Sequence, residues 1–266
     1  MSRYLKTDFY RMITSWQFYA GILGIGVLYL FGGYQAKFIT DVYISYFYNG
    51  WFSTAIMAYA FCSMSFSGCF IEDSEYRFWY LEVQKGNLKQ YVWSKTLICF
   101  LSGVLTMIVG ILLFAFMLRL YVPFYQEHSF LEEQRMMDNF GFLLYPDTIL
   151  LYFICSAAFC GILGGIFALL SAFLSLYEKY RLFTICAPVI GFYFLENFLV
   201  SNLQLPALFN IWVIYGSGYS LFGNSCWNIA YGLLIAVAFV VVLGILIERK
   251  LKEEVCEIHD RVKIHE

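Results

Sequence analysis

The chain has 266 residues and a net charge of −2; 61% of its residues are hydrophobic and only 14% are charged, with a mean hydropathy of +0.68. Soluble domains carry about 45–50% apolar and about 25% charged residues, so a water-soluble domain is excluded, as is disorder, which requires low hydrophobicity. Six spans of about 20 residues would use roughly 120 residues, which leaves room for short loops and two termini but not for a separate soluble enzyme.

Residues 1–15 mix Arg3, Lys6, Asp8 and Arg11 with apolar positions, and no small-residue cleavage site follows, so this stretch does not read as a secretory signal. Leu5, Phe9, Met12, Ile13 and Trp16 fall on one helical stripe, while Arg3, Lys6, Thr7 and Arg11 lie largely elsewhere. The pattern predicts an interfacial helix along the inner leaflet. The competing reading is a simple extension of the first span.

Six long apolar runs follow, at 16–34, 50–71, 96–120, 148–174, 183–200 and 227–247. Each is long enough to cross a bilayer as a helix. They are continuous rather than alternating, which argues against barrel strands. Lysine and arginine then set the orientation. Fourteen of the seventeen fall on one side, and only Lys37, Arg119 and Arg135 fall on the other. This bias places both termini in the cytoplasm, and an odd number of spans would destroy it.

The first cytoplasmic loop, 72–95, reads as a short helix, a turn at Gly86 and a second helix capped by Asn87 that runs into the third span. Its mixture of aromatics and charges fits a surface that docks on another protein, and equally one that lies among lipid headgroups. The outer loop, 121–146, is long enough for a short helix and reads as a solvated cap or an acidic vestibule. No charge occurs from 197 to 247. Within that stretch, 203–215 is apolar but too short to cross, so an outer re-entrant segment broken by Pro206, Gly216 and Gly218 is expected. In the tail, 248–266, Leu251, Val255, Ile258 and Val262 continue a helical stripe from Ile247, which predicts a cytoplasmic amphipathic helix.

Catalytic chemistry is hard to find. The phosphate-binding pattern G-x-x-x-x-G-K-[ST] is absent, so ATP, if used, binds another chain. Gly216-Ser217-Gly218 faintly resembles a nucleophile setting, but His128, His259 and His265 all lie outside the spans and no base is at hand. The eight cysteines form no C-x-x-C pair, so neither a zinc site nor a disulfide framework is indicated, and buried thiols behave as small hydrophobes. Cys256 and His259 share a face of the tail but are too few to hold a metal. Glu196 is the one acidic residue well inside an apolar run, and both a substrate-pathway role and a structural hydrogen-bonding role fit it. Gly161 and Gly165 in the fourth span, and Gly103 and Gly110 in the third, mark faces for close helix packing.

The layout resembles the membrane-spanning subunits of type-2 ABC exporters. The most specific stretch runs from Glu72-Asp73-Ser74-Glu75-Tyr76-Arg77 through Gly86-Asn87-Leu88-Lys89-Gln90-Tyr91-Val92-Trp93-Ser94-Lys95. In that family the first cytoplasmic loop has an acidic start, a short helix, a glycine, then a tyrosine and Ser-Lys leading into the third span. The resemblance implies an all-α integral membrane fold: six transmembrane helices, an N-terminal interfacial helix and an outer re-entrant segment before the last helix, in one permease domain over 1–266. It implies that Tyr76, Arg77, Trp79 and Glu82 lie on a coupling helix that docks on an ATPase. Phe61, Met64, Phe192, Glu196 and Phe198 would line the substrate path between spans two and five. It further implies two ATPase copies holding ATP and magnesium, a second permease chain, a bacterial plasma-membrane location, and neither a cofactor in this chain nor a nucleic-acid partner. The reading from another class is an ion-coupled carrier that uses Glu196.

Overall fold

A computed structural model describes residues 2–35, 40–51, 53–66, 68–75, 88–126, 129–203, 206–216 and 220–264, and their regular structure is helical without a strand. The helices are α1 (Ser2–Thr14), α2 (Trp16–Gln35), α3 (Val42–Trp51), α4 (Ser53–Met64), α5 (Cys69–Glu75), α6 (Leu88–Arg119), α7 (Ser129–Met137), α8 (Ile149–Leu174), α9 (Arg181–Leu203), α10 (Ile211–Tyr215) and α11 (Ser225–Ile264). Single 3₁₀ turns lie at Gly141–Leu143 and Ala207–Phe209.

Five segments of the described chain are long and apolar enough to cross a membrane: Trp16–Tyr34, Ala55–Asp73, Leu88–Arg119, Ile149–Leu174 and Ser225–Glu254. The chain is therefore a multi-pass helical membrane protein. The apolar run at 183–200 lies within α9, which has 23 residues, enough to cross by length, but is not among the five.

Two long helices form the axis of the bundle. Lipid gives no hydrophobic drive to pair helices, so close backbone approach must supply the contact energy. The glycines supply that approach. A Cβ on Gly103 of α6 would lie 2.5 Å from the Gly164 carbonyl oxygen of α8, and one on Gly165 would lie 2.7 Å from the Phe100 carbonyl oxygen. Phe61 of α4 lies over Gly24 of α2 in the same way. Around this axis, α2 and α4 pack on one side and α11 on another. The α11 window is only 22% buried, and Leu233, Leu234, Val237, Val241 and Val242 face outward.

The second span is not one helix. Helix α4 ends at Met64 and α5 begins at Cys69, and just after α4 Ser65 turns its hydroxyl to the Cys62 carbonyl at 2.8 Å. Across from it, α6 runs antiparallel, and four pairs mark a constant register: Cys62 with Met107, Ser65 with Ser102, Cys69 with Cys99, and Asp73 with Lys95. Each step back along the second span is matched by a comparable step forward along α6.

Helix α3 was not expected from the sequence. Asp41 starts it, accepting the Ile44 amide at 2.7 Å and the Gln126 amide at 3.2 Å. Ser15 interrupts the chain between α1 and α2 and caps α2 by accepting the Phe18 amide at 3.3 Å. The stripe expected on α1 is divided: Met12 is fully buried in the bundle, whereas Trp16 at the start of α2 is 74% exposed. At the other terminus α11 continues unbroken to Ile264, with Ile247 and Leu251 buried.

Candidate functional site: an ion cluster at the loop roots

The largest concentration of charge within the fold lies where the 76–87 segment leaves α5 and rejoins the chain before α6. Lys95, about two turns into α6 at the border of its apolar run, has a side chain only 1% exposed. Such an ammonium is held inside only if it is paired. Its Nζ lies 2.5 Å from Asp73 Oδ2 and 3.9 Å from Asp8 Oδ1, over the rings of Tyr91 at 5.2 Å and Phe70 at 5.6 Å. Tyr91 donates its hydroxyl to Asp73 at 2.5 Å, and Ser94 donates to Asp8 at 3.3 Å.

Arg11 of α1 covers this core, with Nη1 3.1 Å from Asp73 and Nη2 3.4 Å from Glu72. Glu72 in turn reaches Arg181 at the start of α9, at 3.4 Å. Three cations, Arg11, Lys95 and Arg181, therefore meet three anions, Asp8, Glu72 and Asp73. The set is self-neutral and graded, from a dry centre at Lys95 and Asp73 to a wet rim at Arg181.

Burial raises the Asp8 carboxyl above its ordinary value, and Lys95 and Arg11 offset this only in part. Burial acts against the Arg11 guanidinium, but Asp73, with Cys69 and Asp8, outweighs it and holds Arg11 above its ordinary value. The cluster ties α1, α5, α6 and α9 together at both roots of one loop. Among the described residues no group of three or more His, Cys, Asp or Glu could hold a metal.

The opposite end of the bundle carries a polar cap. Asn228 of α11 donates to Asn139 at 2.6 Å and to Ser220 at 2.7 Å, and accepts the Phe222 amide at 3.1 Å. Asn139 donates to the Gly216 carbonyl at 3.2 Å, and Tyr215 donates to the Gly232 carbonyl at 2.8 Å. The segment around α10 is therefore fastened to the start of α11. Next to Asn139, Asp138 accepts the Phe140 amide at 2.8 Å and the Tyr152 hydroxyl at 2.7 Å. Burial raises its pKa to about 7 against both of these hydrogen bonds.

None of the described residues expected to act belongs to this cluster. Tyr76, Arg77, Trp79 and Glu82 lie outside the described residues, between its two roots. The five candidate path residues differ in their neighbours and exposure. Phe61 is engaged with Gly24 of α2, while Phe192 meets Phe167 of α8 edge-on at 5.2 Å. Met64 is half-buried and Phe198 is 61% exposed. Glu196 is half-buried and interacts with Asn210, the residue that caps α10 by accepting the Val213 amide.

Sequence reasoning placed Asp73 and Lys95 near the two ends of a helical cytoplasmic loop and gave Asp8 no role. One signal was available: Tyr91, Lys95, Cys99 and Ser102 recur at helical spacing, so the ammonium shares a face with packing residues. No family model matches the chain, and no curated protein or solved structure matches it either.

Proposed function

We propose that this chain is the membrane-spanning subunit of a type-2 ABC exporter, moving a peptide, drug or lipid-like substrate outward with energy from a separate ATPase. In this reading α9 is a further crossing, which gives six spans with both termini in the cytoplasm. Helix α1 lies along the inner leaflet, and the 203–215 segment forms the outer re-entrant gate. The chain itself performs no covalent chemistry. ATP and magnesium belong to two ATPase copies, and a second permease chain, identical or related, completes the path in a bacterial plasma membrane.

The observation that carries this reading is the ion cluster at the roots of the 76–87 segment. A loop that receives a push is useful only if its roots are rigidly joined to the helices that must tilt. Asp73 and Lys95 join the two roots to each other, Arg11 joins them to α1, and Glu72 with Arg181 joins them to α9. Closure of the ATPases would push on Tyr76, Arg77, Trp79 and Glu82, and the cluster would pass that displacement to four helices as one body.

The test is isolation of the tagged chain from its native membrane in mild detergent, with the co-purifying chains identified by mass spectrometry. A stoichiometric ATPase with a nucleotide-binding glycine loop is expected. Charge reversal at Arg77 or Glu82 is then expected to uncouple ATP hydrolysis from export while the chain still inserts. Unchanged export in both variants would remove the coupling assignment. A chain that comes down alone would instead favour the ion-coupled carrier, for which the half-buried Glu196 beside Asn210 is the residue to substitute first.

A further inference from the structure

One turn deeper than the Asp73–Lys95 pair, on the same two helices, Cys69 and Cys99 face each other with their Sγ atoms 3.5 Å apart. Both are buried, at 2% and 0% exposure. Among the described cysteines this is the one pair in such contact; Cys62 lies instead against Met107 at 3.9 Å, and Cys160 against Tyr46 and the Tyr215 carbonyl. We propose that Cys69 and Cys99 form a reversible thiol–disulfide modification site, oxidised by a small hydroperoxide, that staples the root of the 76–87 loop to α6.

Two features of the fold support this. First, the antiparallel register holds the two sulfurs opposite each other. A disulfide needs about 2.05 Å between sulfurs, so the gap must close by about 1.5 Å, within reach of side-chain rotation and a small helix shift. Second, Cys69 is the first residue of α5, and its amide donates to the Phe66 carbonyl in the turn rather than continuing a helical ladder from α4. The seven-residue α5 is thus separate from α4, and a small adjustment at Cys69 does not have to bend a long helix.

The reaction balances without any group on the protein other than the two thiols. The Cys69 thiolate attacks one peroxide oxygen; the O–O bond breaks, the sulfur becomes a sulfenic acid, and hydroxide or alkoxide leaves and takes up a proton. The Cys99 sulfur then attacks the sulfenic sulfur, the S–O bond breaks, the S–S bond forms, and water leaves. In sum, two thiols lose two electrons and two protons, and the peroxide is reduced to two hydroxyl-bearing products. Thiol–disulfide exchange with a small dithiol restores the starting state. The inference stands on this geometry alone and does not depend on the exporter reading.

The experiment uses the intact chain in lipid nanodiscs, exposed to hydrogen peroxide, alkylated and digested for mass spectrometry. The expected product is a Cys69–Cys99 disulfide in excess of any other cysteine pair by about tenfold, since oxidation is site-selective. It should disappear on adding dithiothreitol, and amide hydrogen exchange across 65–75 should slow in the oxidised protein. Cys99→Ser should abolish the product, and the wild-type measurement stands even if that variant folds poorly. Oxidation confined to the exposed Cys226, or no 69–99 product in the folded chain when the unfolded chain oxidises freely, would overturn the site. A disulfide that leaves exchange across 65–75 unchanged would overturn its role as a staple.

Discussion

Replacing Lys95 by methionine removes the central ammonium and keeps most of the side-chain volume. Removing one member of a buried ion pair costs roughly 3–5 kcal/mol, because the partner is left charged and dry. Asp73 retains Arg11 at 3.1 Å and the Tyr91 hydroxyl, whereas Asp8 retains Ser94 and Arg11 only at 4.0 Å. The cost therefore falls at the lower end, about 3 kcal/mol. For a chain of this length each kcal/mol shifts the melting temperature by about 2–4 °C, so Lys95→Met is expected to melt roughly 6–12 °C below wild type. Intrinsic fluorescence in detergent, read from the six tryptophans, reports the transition at a fixed scan rate. Adding Asp73→Leu should recover much of the loss, giving a coupling energy of about 2 kcal/mol in the double-mutant cycle. Arg11→Gln, at the 33% exposed rim, should cost only about 1 kcal/mol. Lys95→Met melting with wild type, or strict additivity with Asp73→Leu, would show that the pair does not hold the loop roots together.

Asp138 titrates near 7 when folded against an ordinary value of 3.8. Its contribution to stability is therefore complete below the ordinary value and is lost as pH rises through the folded one; melting of wild type should fall between pH 5 and pH 8, and that slope should flatten in Asp138→Asn. Gly103→Ala places a methyl against the backbone of Gly164, which cannot move aside as a side chain would; a loss of about 1–3 kcal/mol is expected, and an unchanged melting temperature would contradict the close α6–α8 contact. Asn228→Leu removes the donor to Asn139 and Ser220, and amide exchange should quicken across 206–224 while α6 and α8 stay protected; uniform exchange with wild type would show that the cap is held by other means.

The spans were legible because hydropathy is additive along a helix and a membrane filters for length. Gly103, Gly161 and Gly165 were legible for a related reason: at helical spacing, small residues leave a groove, and grooves are where backbones meet. The ion cluster was not legible. Its partners on different helices are 18 to 109 residues apart in the chain, and no periodicity connects Asp8 with Lys95 or Glu72 with Arg181. A lysine at the border of an apolar run counts equally toward an orientation rule whether it reaches solvent or turns inward. Helix α3 was missed because its aromatic sequence ends in Asn49-Gly50, which reads as a turn, whereas Asn49 is buried and donates to the Tyr29 carbonyl at 2.8 Å.

The register shared by the second span and α6 also bears on how the chain enters the bilayer. A single lysine or aspartate within a spanning segment carries an insertion cost of about 2.5–3.5 kcal/mol at the helix centre, falling toward the ends. Asp73 and Lys95 are the two roots of the same hairpin, and its register brings them to 2.5 Å. Once that hairpin closes, neither helix presents an uncompensated charge to lipid, and no later segment is needed to neutralise it. Arg11 and Arg181, on the wet rim, add α1 and α9 to a unit whose charge is already balanced at its centre.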